Sequence, residues 1–135
     1  MRRAIVQANK NPKLPFGAVI VRVSDGSVVA EGHNRTPVNP IYHGEMDAID
    51  RYASQHPGAD WSDLVLYTTC EPCAICQSAV LWAGIGAVIF GSSIPFLASL
   101  NWWYIDIRAE EVVKRTSFAA QSSVEFWNRN VMRCS

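Results

Sequence analysis

Two short stretches constrain this chain more than anything else in it: Tyr42-His43-Gly44-Glu45 and Cys70-Glu71-Pro72-Cys73-Ala74-Ile75-Cys76. Together they carry one imidazole and three thiols, with the Glu45 carboxylate left free. Each opens a predicted helix, so the fold has to bring two helix starts together if these groups are to act on one ion. Cys73 and Cys76 stand at i and i+3, which on a helix puts both thiols on one face about one turn apart. Pro72 suits a first turn, where its missing N–H has no partner to lose, and the unpaired N–H groups and helix dipole there lower thiol pKa values. The pair is set to bind a metal as thiolates.

An open zinc site keeps three protein ligands and leaves a fourth position for water, and His43 is the candidate third ligand. Glu45, two residues on, converges with His43 only where the metal sits off the end of the helix rather than on its face. Zinc lowers the pKa of bound water to about 7, and a nearby glutamate can take that proton and deliver it to a leaving amine. The chemistry suggested is hydrolytic deamination. Three other readings compete. A redox Cys-x-x-Cys has no need of the upstream histidine and glutamate. An iron–sulfur run would want a further cysteine where Val80 stands. A closed structural site of Cys70, Cys73, Cys76 and His43 would make the zinc a staple and leave Glu45 idle.

His43-Gly44-Glu45 followed by Pro72-Cys73-Ala74-Ile75-Cys76 resembles the H-x-E and P-C-x-x-C signature of the zinc nucleobase deaminases. The likeness runs from about Met1 to Ser93. Leu64 to Cys73 is similar to the wording of bacterial guanine deaminases and their tRNA adenosine deaminase relatives. Pro15 to Val21 and Gly32-His33-Asn34 resemble the family's pocket motifs on its first two strands. The resemblance implies zinc held by His43, Cys73 and Cys76, proton transfer by Glu45, a hydrogen bond from Asn34 to the substrate, and a dimer. It also implies that the segment after the fourth strand builds the far wall of the base pocket. Three departures stand out. The stretch after Ala119 is atypical and does not resemble the closing helix of relatives. Gly44 occupies a place usually held by alanine, keeping a backbone N–H that can face the substrate. Ser92 to Ile105 lacks the acidic residue with which guanine deaminases of this branch read the guanine edge, and Asp106 is the nearest acid.

Charge bears on the partner. Twelve basic side chains balance twelve acidic ones, whereas nucleic-acid binders usually show a basic face. The balance favours a free base or nucleoside over a polynucleotide. Four cysteines, three of them crowded together, do not form a secreted disulfide framework. With no signal-peptide pattern and no long apolar run, the expectation is a reducing cytoplasm and no membrane span.

The 135 residues, 49% of them hydrophobic, suit one domain over residues 1–135. Helix is predicted over Met1–Asn9, strand over Phe16–Val23, a turn at Ser24-Asp25-Gly26, and strand over Ser27–Gly32. A loop then delivers His43 to a helix running to about His56, with Met46, Ile49 and Ala53 on its buried side and Asp47–Arg51 as a surface pair. Strand follows over Leu64–Thr69, helix over Cys73–Ala83, strand over Ala87–Gly91, a short helix over Arg108–Arg115, and a final helix over Val124–Met132. The fold class expected is α/β, a three-layer αβα cytidine-deaminase-like fold with a mixed central sheet. Its substrate would be an aminopurine-like or aminotriazine-like ring, with tRNA adenosine and a non-catalytic zinc-stapled interaction domain as alternatives. Phe16, Trp82 and the 94–104 aromatics, Trp103 among them, are candidate stacking residues.

Overall fold

A computed structural model of the chain describes residues 1–118 and 123–126. The apolar run before Ser24 forms β1 (Gly17–Arg22), and the turn glycine Gly26, at φ +69°, folds the chain back into β2 (Val28–His33). β3 (Leu64–Cys70) lies on the other side of β1, antiparallel to it, and β4 (Ala87–Ser92) is parallel to β3. The sheet is mixed and five-stranded, in the order β2-β1-β3-β4-β5.

Its fifth strand corrects the sequence reading. Residues Ser123–Phe126 form β5, parallel to β4, where a helix over Val124–Met132 was expected. The four residues alternate polar and apolar, the period of a strand, and the open edge of β4 supplies their ladder. Residues 127–132 lie outside the described residues.

Strand pairing fixes which side chains share a face. Ala18 is opposite Gly32 and Thr68, Ile20 is opposite Leu66, and Arg22 is opposite Leu64. Paired residues point to one side, and Ala18, Ile20, Leu64 and Leu66 form the main core with Ala48 and Tyr52 of α2 (Gly44–Gln55) and Val80 of α3 (Ala74–Ala83). α1 (Arg2–Ala8) lies on the opposite face, over Gly17. Helices therefore flank both sides of the sheet, as expected.

Close approach explains the helix positions. A Cβ on Gly32 would fall 2.3 Å from the Gly44 carbonyl oxygen and 2.4 Å from the Ala48 nitrogen. The buried stripe of α2 is accordingly Gly44, Glu45, Ala48 and Tyr52 with Asp47, not the expected Met46, Ile49 and Ala53, of which Ala53 is exposed. Small residues at the contact let the helix settle, and larger ones go to its flanks. Asp47 is not half of a surface pair. Its buried carboxylate accepts from Arg35 Nη1 (3.1 Å), Arg51 Nε (3.1 Å) and the His33 N–H (3.2 Å).

After β4 the chain forms two six-residue helices, α4 (Ile94–Ser99) and α5 (Ala109–Lys114). Ser93 caps the first by accepting from the Phe96 N–H. Among the described residues no helix is long and apolar enough to cross a membrane.

Candidate active site

His43 and Cys73 occupy the same position on their two helices. Each is the extended residue that caps the start, at φ −66° and ψ 166° for His43 and φ −66° and ψ 171° for Cys73. Each main-chain carbonyl takes the first helical hydrogen bond, from Asp47 and from Gln77. The two side chains are left off the helix ends, where they meet.

The donor atoms form a small triangle. Cys73 Sγ is 3.5 Å from His43 Nδ1, Cys76 Sγ is 3.6 Å from it, and the two sulfurs are 3.6 Å apart. Around a tetrahedral ion with bonds of about 2.3 Å to sulfur and about 2.0 Å to nitrogen, two sulfurs fall about 3.8 Å apart and sulfur and nitrogen about 3.5 Å. The triangle thus has the dimensions of three corners of a zinc tetrahedron. Among the described residues, the donor group within mutual reach holds His43, Cys73 and Cys76 and omits Cys70. The closed four-ligand site is not formed.

The three donors shift one another in different directions. The neighbouring Cys76 thiol, against the effect of burial and with help from His43, holds Cys73 down to about 4, a thiolate at neutral pH. Cys76 is pushed the other way, by its bond to Cys73 and by burial. The hydrogen bond to Cys73 raises His43. Cys70, half-buried, is pushed up to about 12 by desolvation and by the charge of Glu45, against its hydrogen bonds with Thr69 and Ser92. It behaves as a neutral thiol.

Glu45 is buried beside this triangle, within the field of Cys73 and His43, and Oε1 accepts from Thr68 Oγ1 at 2.9 Å. Burial raises its pKa above the usual carboxylate range. Thr68 escaped the sequence reading. The signal was present, since Leu64, Leu66 and Thr68 alternate inward and Thr68 is the polar exception at the strand end nearest the cysteines.

A cavity of about 760 Å³ opens over the site. Phe16, Asn34 and Trp103 line it, with Thr36, Asn101 and Trp102. Phe16 and Trp102 meet edge to face at 5.2 Å, bridging the two walls. Asn34 is buried, its Oδ1 accepting from the Thr36 N–H (3.2 Å) and Oγ1 (2.9 Å), while its Nδ2 has no hydrogen-bond partner among the described residues. Two expected contacts are elsewhere. Trp82 is 79% exposed and packs on Phe118 in a separate groove between α3 and α5. Gly44 does not line the cavity; a Cβ there would meet Phe16 O at 3.0 Å, so its role is close packing. Asp106 likewise lines the second groove.

This fold and donor set define a zinc deaminase domain, and the comparisons with known proteins agree. Residues 1–92 match the model of the cytidine and deoxycytidylate deaminase zinc-binding region, and the chain belongs to that family. It is 36% identical to the cytosine deaminase of Candida albicans over 101 residues, 71% of this chain and 66% of that protein. It is 41% identical to the guanine deaminase of Bacillus subtilis over 80 residues, 58% of this chain and 50% of that protein. With a tRNA-specific adenosine deaminase of Streptococcus pyogenes it shares 40% over 100 residues, 69% of this chain and 60% of that protein. The chain thus spans half to two thirds of the length of these curated relatives. Among solved structures, the Bacillus subtilis guanine deaminase superposes with a TM-score of 0.66 at 30% identity, covering 94% of this chain and 81% of that one. A tRNA:A34 deaminase gives 0.76 at 25%, covering 94% and 95%.

Proposed function

We propose that this protein is a zinc-dependent hydrolytic deaminase acting on a neutral amino-bearing heterocycle, a purine-like or triazine-like base or nucleoside. The observation that carries the substrate class is the cavity lining. Among the described residues it contains no lysine or arginine, and its charged side chains are Glu45, the Cys73 thiolate and Glu71, which is paired with Arg108. Such a lining offers a phosphate no cationic side chain and accepts a neutral ring.

His43, Cys73 and Cys76 hold the zinc, which when bound acidifies the attacking water. Glu45, buried and hydrogen-bonded to Thr68, would take one proton from the water and give it to the ring nitrogen, then take the second from the hydroxyl newly attached to the ring carbon and give it to the amine, which leaves as ammonia as the carbonyl forms. Burial raises its pKa above the usual carboxylate range, which favours its holding a proton between the two transfers. Asn34 donates from Nδ2 to an acceptor on the ring, because Thr36 already occupies its oxygen. Phe16 and Trp102, packed edge to face, give the ring an aromatic surface to lie against.

A second reading, deamination of adenosine within RNA, is favoured by one feature. Trp103 is 100% exposed at the cavity mouth, where it offers a stacking surface for a flanking base. The reading extends to a homodimer in a reducing cytoplasm, which light scattering and cell fractionation test. The activity test is ammonia release from zinc-loaded protein with guanine, adenine, cytosine, their nucleosides, aminotriazines and an adenosine-containing anticodon stem. Release from a free base or nucleoside supports the first reading. Release from the RNA alone selects the second, and silence across the panel counts against both.

A further inference from the structure

Glu71, between the two halves of the zinc stretch, has a carboxylate that the proposed reaction does not use. It is buried, and four hydrogen bonds converge on it: Arg108 Nε donates to Oε1 (2.8 Å) and Oε2 (2.9 Å), the Ile94 N–H to Oε2 (3.0 Å), and the Ala109 N–H to Oε1 (2.9 Å). Its own N–H donates to the Ser92 carbonyl at 2.7 Å. Ile94 is the first residue of α4 and Ala109 the first of α5.

What lies between those two anchors is the far wall of the cavity: Ile94, Leu97, Leu100 and the run Asn101–Ile105. Helices of six residues do not hold themselves in place. Among the described residues, the hydrogen bonds made by residues 95–107 all stay within 93–107. The Phe16–Trp102 ring contact reaches across to the other wall. Both ends of this wall are fastened to one carboxylate, two residues from the ligand Cys73.

We propose that Glu71 is a positioning residue: with Arg108 it closes the 94–108 segment onto the zinc stretch and so sets the distance between the aromatic wall and the reacting atoms. The proposal rests on the deaminase reading for its kinetic consequence and on geometry alone for its structural one. A wall set at the wrong distance weakens ring binding, while the ligands and Glu45, which lie at the starts of α2 and α3, keep their places.

The test uses the zinc-loaded full chain with Glu71→Gln, Arg108→Gln and the double variant. It reads zinc per chain, amide hydrogen exchange by segment, and kcat and KM on whichever panel compound the wild type turns over. Glu71→Gln is expected to keep one zinc per chain, to raise KM about tenfold with kcat within about threefold, and to speed exchange in 94–109 but not in α3. Arg108→Gln shifts the same readouts in the same direction by less, and the double variant is no worse than Glu71→Gln. Unchanged KM and exchange in both single variants overturn the proposal. So do additive effects, or faster exchange everywhere, which marks simple destabilisation. If Glu71→Gln fails to fold, Arg108→Gln decides, since that side chain is 48% exposed. If the wild type turns over nothing, the substrate reading fails by itself, and the exchange pattern alone supports or overturns the clamp.

Discussion

On the proposed reading Glu45 carries the chemistry, and its neighbours leave it one useful freedom. Thr68 fixes one oxygen, and burial raises the carboxyl above the usual carboxylate range. Glu45→Gln preserves shape and the bond to Thr68 but cannot take a proton. Turnover is expected to fall by about 10²- to 10⁴-fold with zinc content unchanged, measured by ammonia release and metal analysis. Equal turnover in the variant would remove Glu45 from the mechanism. A second titration belongs to stability. Burial lowers the pKa of His33, outweighing the pull of Asp47 at 3.9 Å, with Lys10, Arg51 and Arg35 adding to the fall. The folded state therefore binds this proton less readily than the unfolded chain, whose histidine titrates near 6.5. The His33 contribution to stability is present in full above that pH and is lost as pH falls through the folded pKa. Urea midpoints between pH 7.5 and 5 are expected to decline less in His33→Gln than in wild type. Parallel curves would exclude the residue.

At the scale of elements, glycines decide how closely helices lie on the sheet. Gly32→Ala puts a methyl 2.3 Å and 2.4 Å from main-chain atoms of α2, which cannot swing aside as a side chain would. The loss is expected to be about 1–3 kcal/mol or more by urea unfolding, with weaker zinc binding because α2 carries His43. Gly58→Ala, at φ +74° with nothing within 4 Å, should lose only about 1 kcal/mol. Equal losses at the two sites would argue against the packing account. Elements were legible in the sequence where a local pattern decides them. The apolar runs of β1 and β3 and the helix start just after His43 were read directly, whereas Cys73, read as the first residue of its helix, is the extended cap before it. What depends on distant partners was not. β5 exists because β4 has an open edge, Asp47 is buried because Arg35 comes from another loop, and Glu71 matters because Ile94 and Arg108 arrive at it. Trp82 was misplaced for a helical reason. The buried stripe of α3 is Cys76, Gln77, Val80 and Leu81, which turns Trp82 outward, away from the cavity.

For the whole molecule, the question is whether zinc makes the fold or only completes it. The core formed by Ala18, Ile20, Leu64, Leu66, Val80 and Val88 lies under the helices and owes nothing to the metal. Without the ion, the thiolate of Cys73 still has Cys76 and His43 as partners. The chelated protein should therefore stay folded, unlike a zinc finger. Zinc at a thousand times its Kd adds about 4 kcal/mol by mass action, which for a chain of this size shifts Tm on the order of 10 °C. Thermal melts in excess zinc and in chelator measure that difference. Cys76→Ser should abolish it. Cys70→Ser should keep both the shift and one zinc per chain, because Cys70 stands outside the donor group and is held neutral by burial. A chain that unfolds outright on chelation would make the metal a staple, and a melt that zinc does not move would leave His43, Cys73 and Cys76 without their ion.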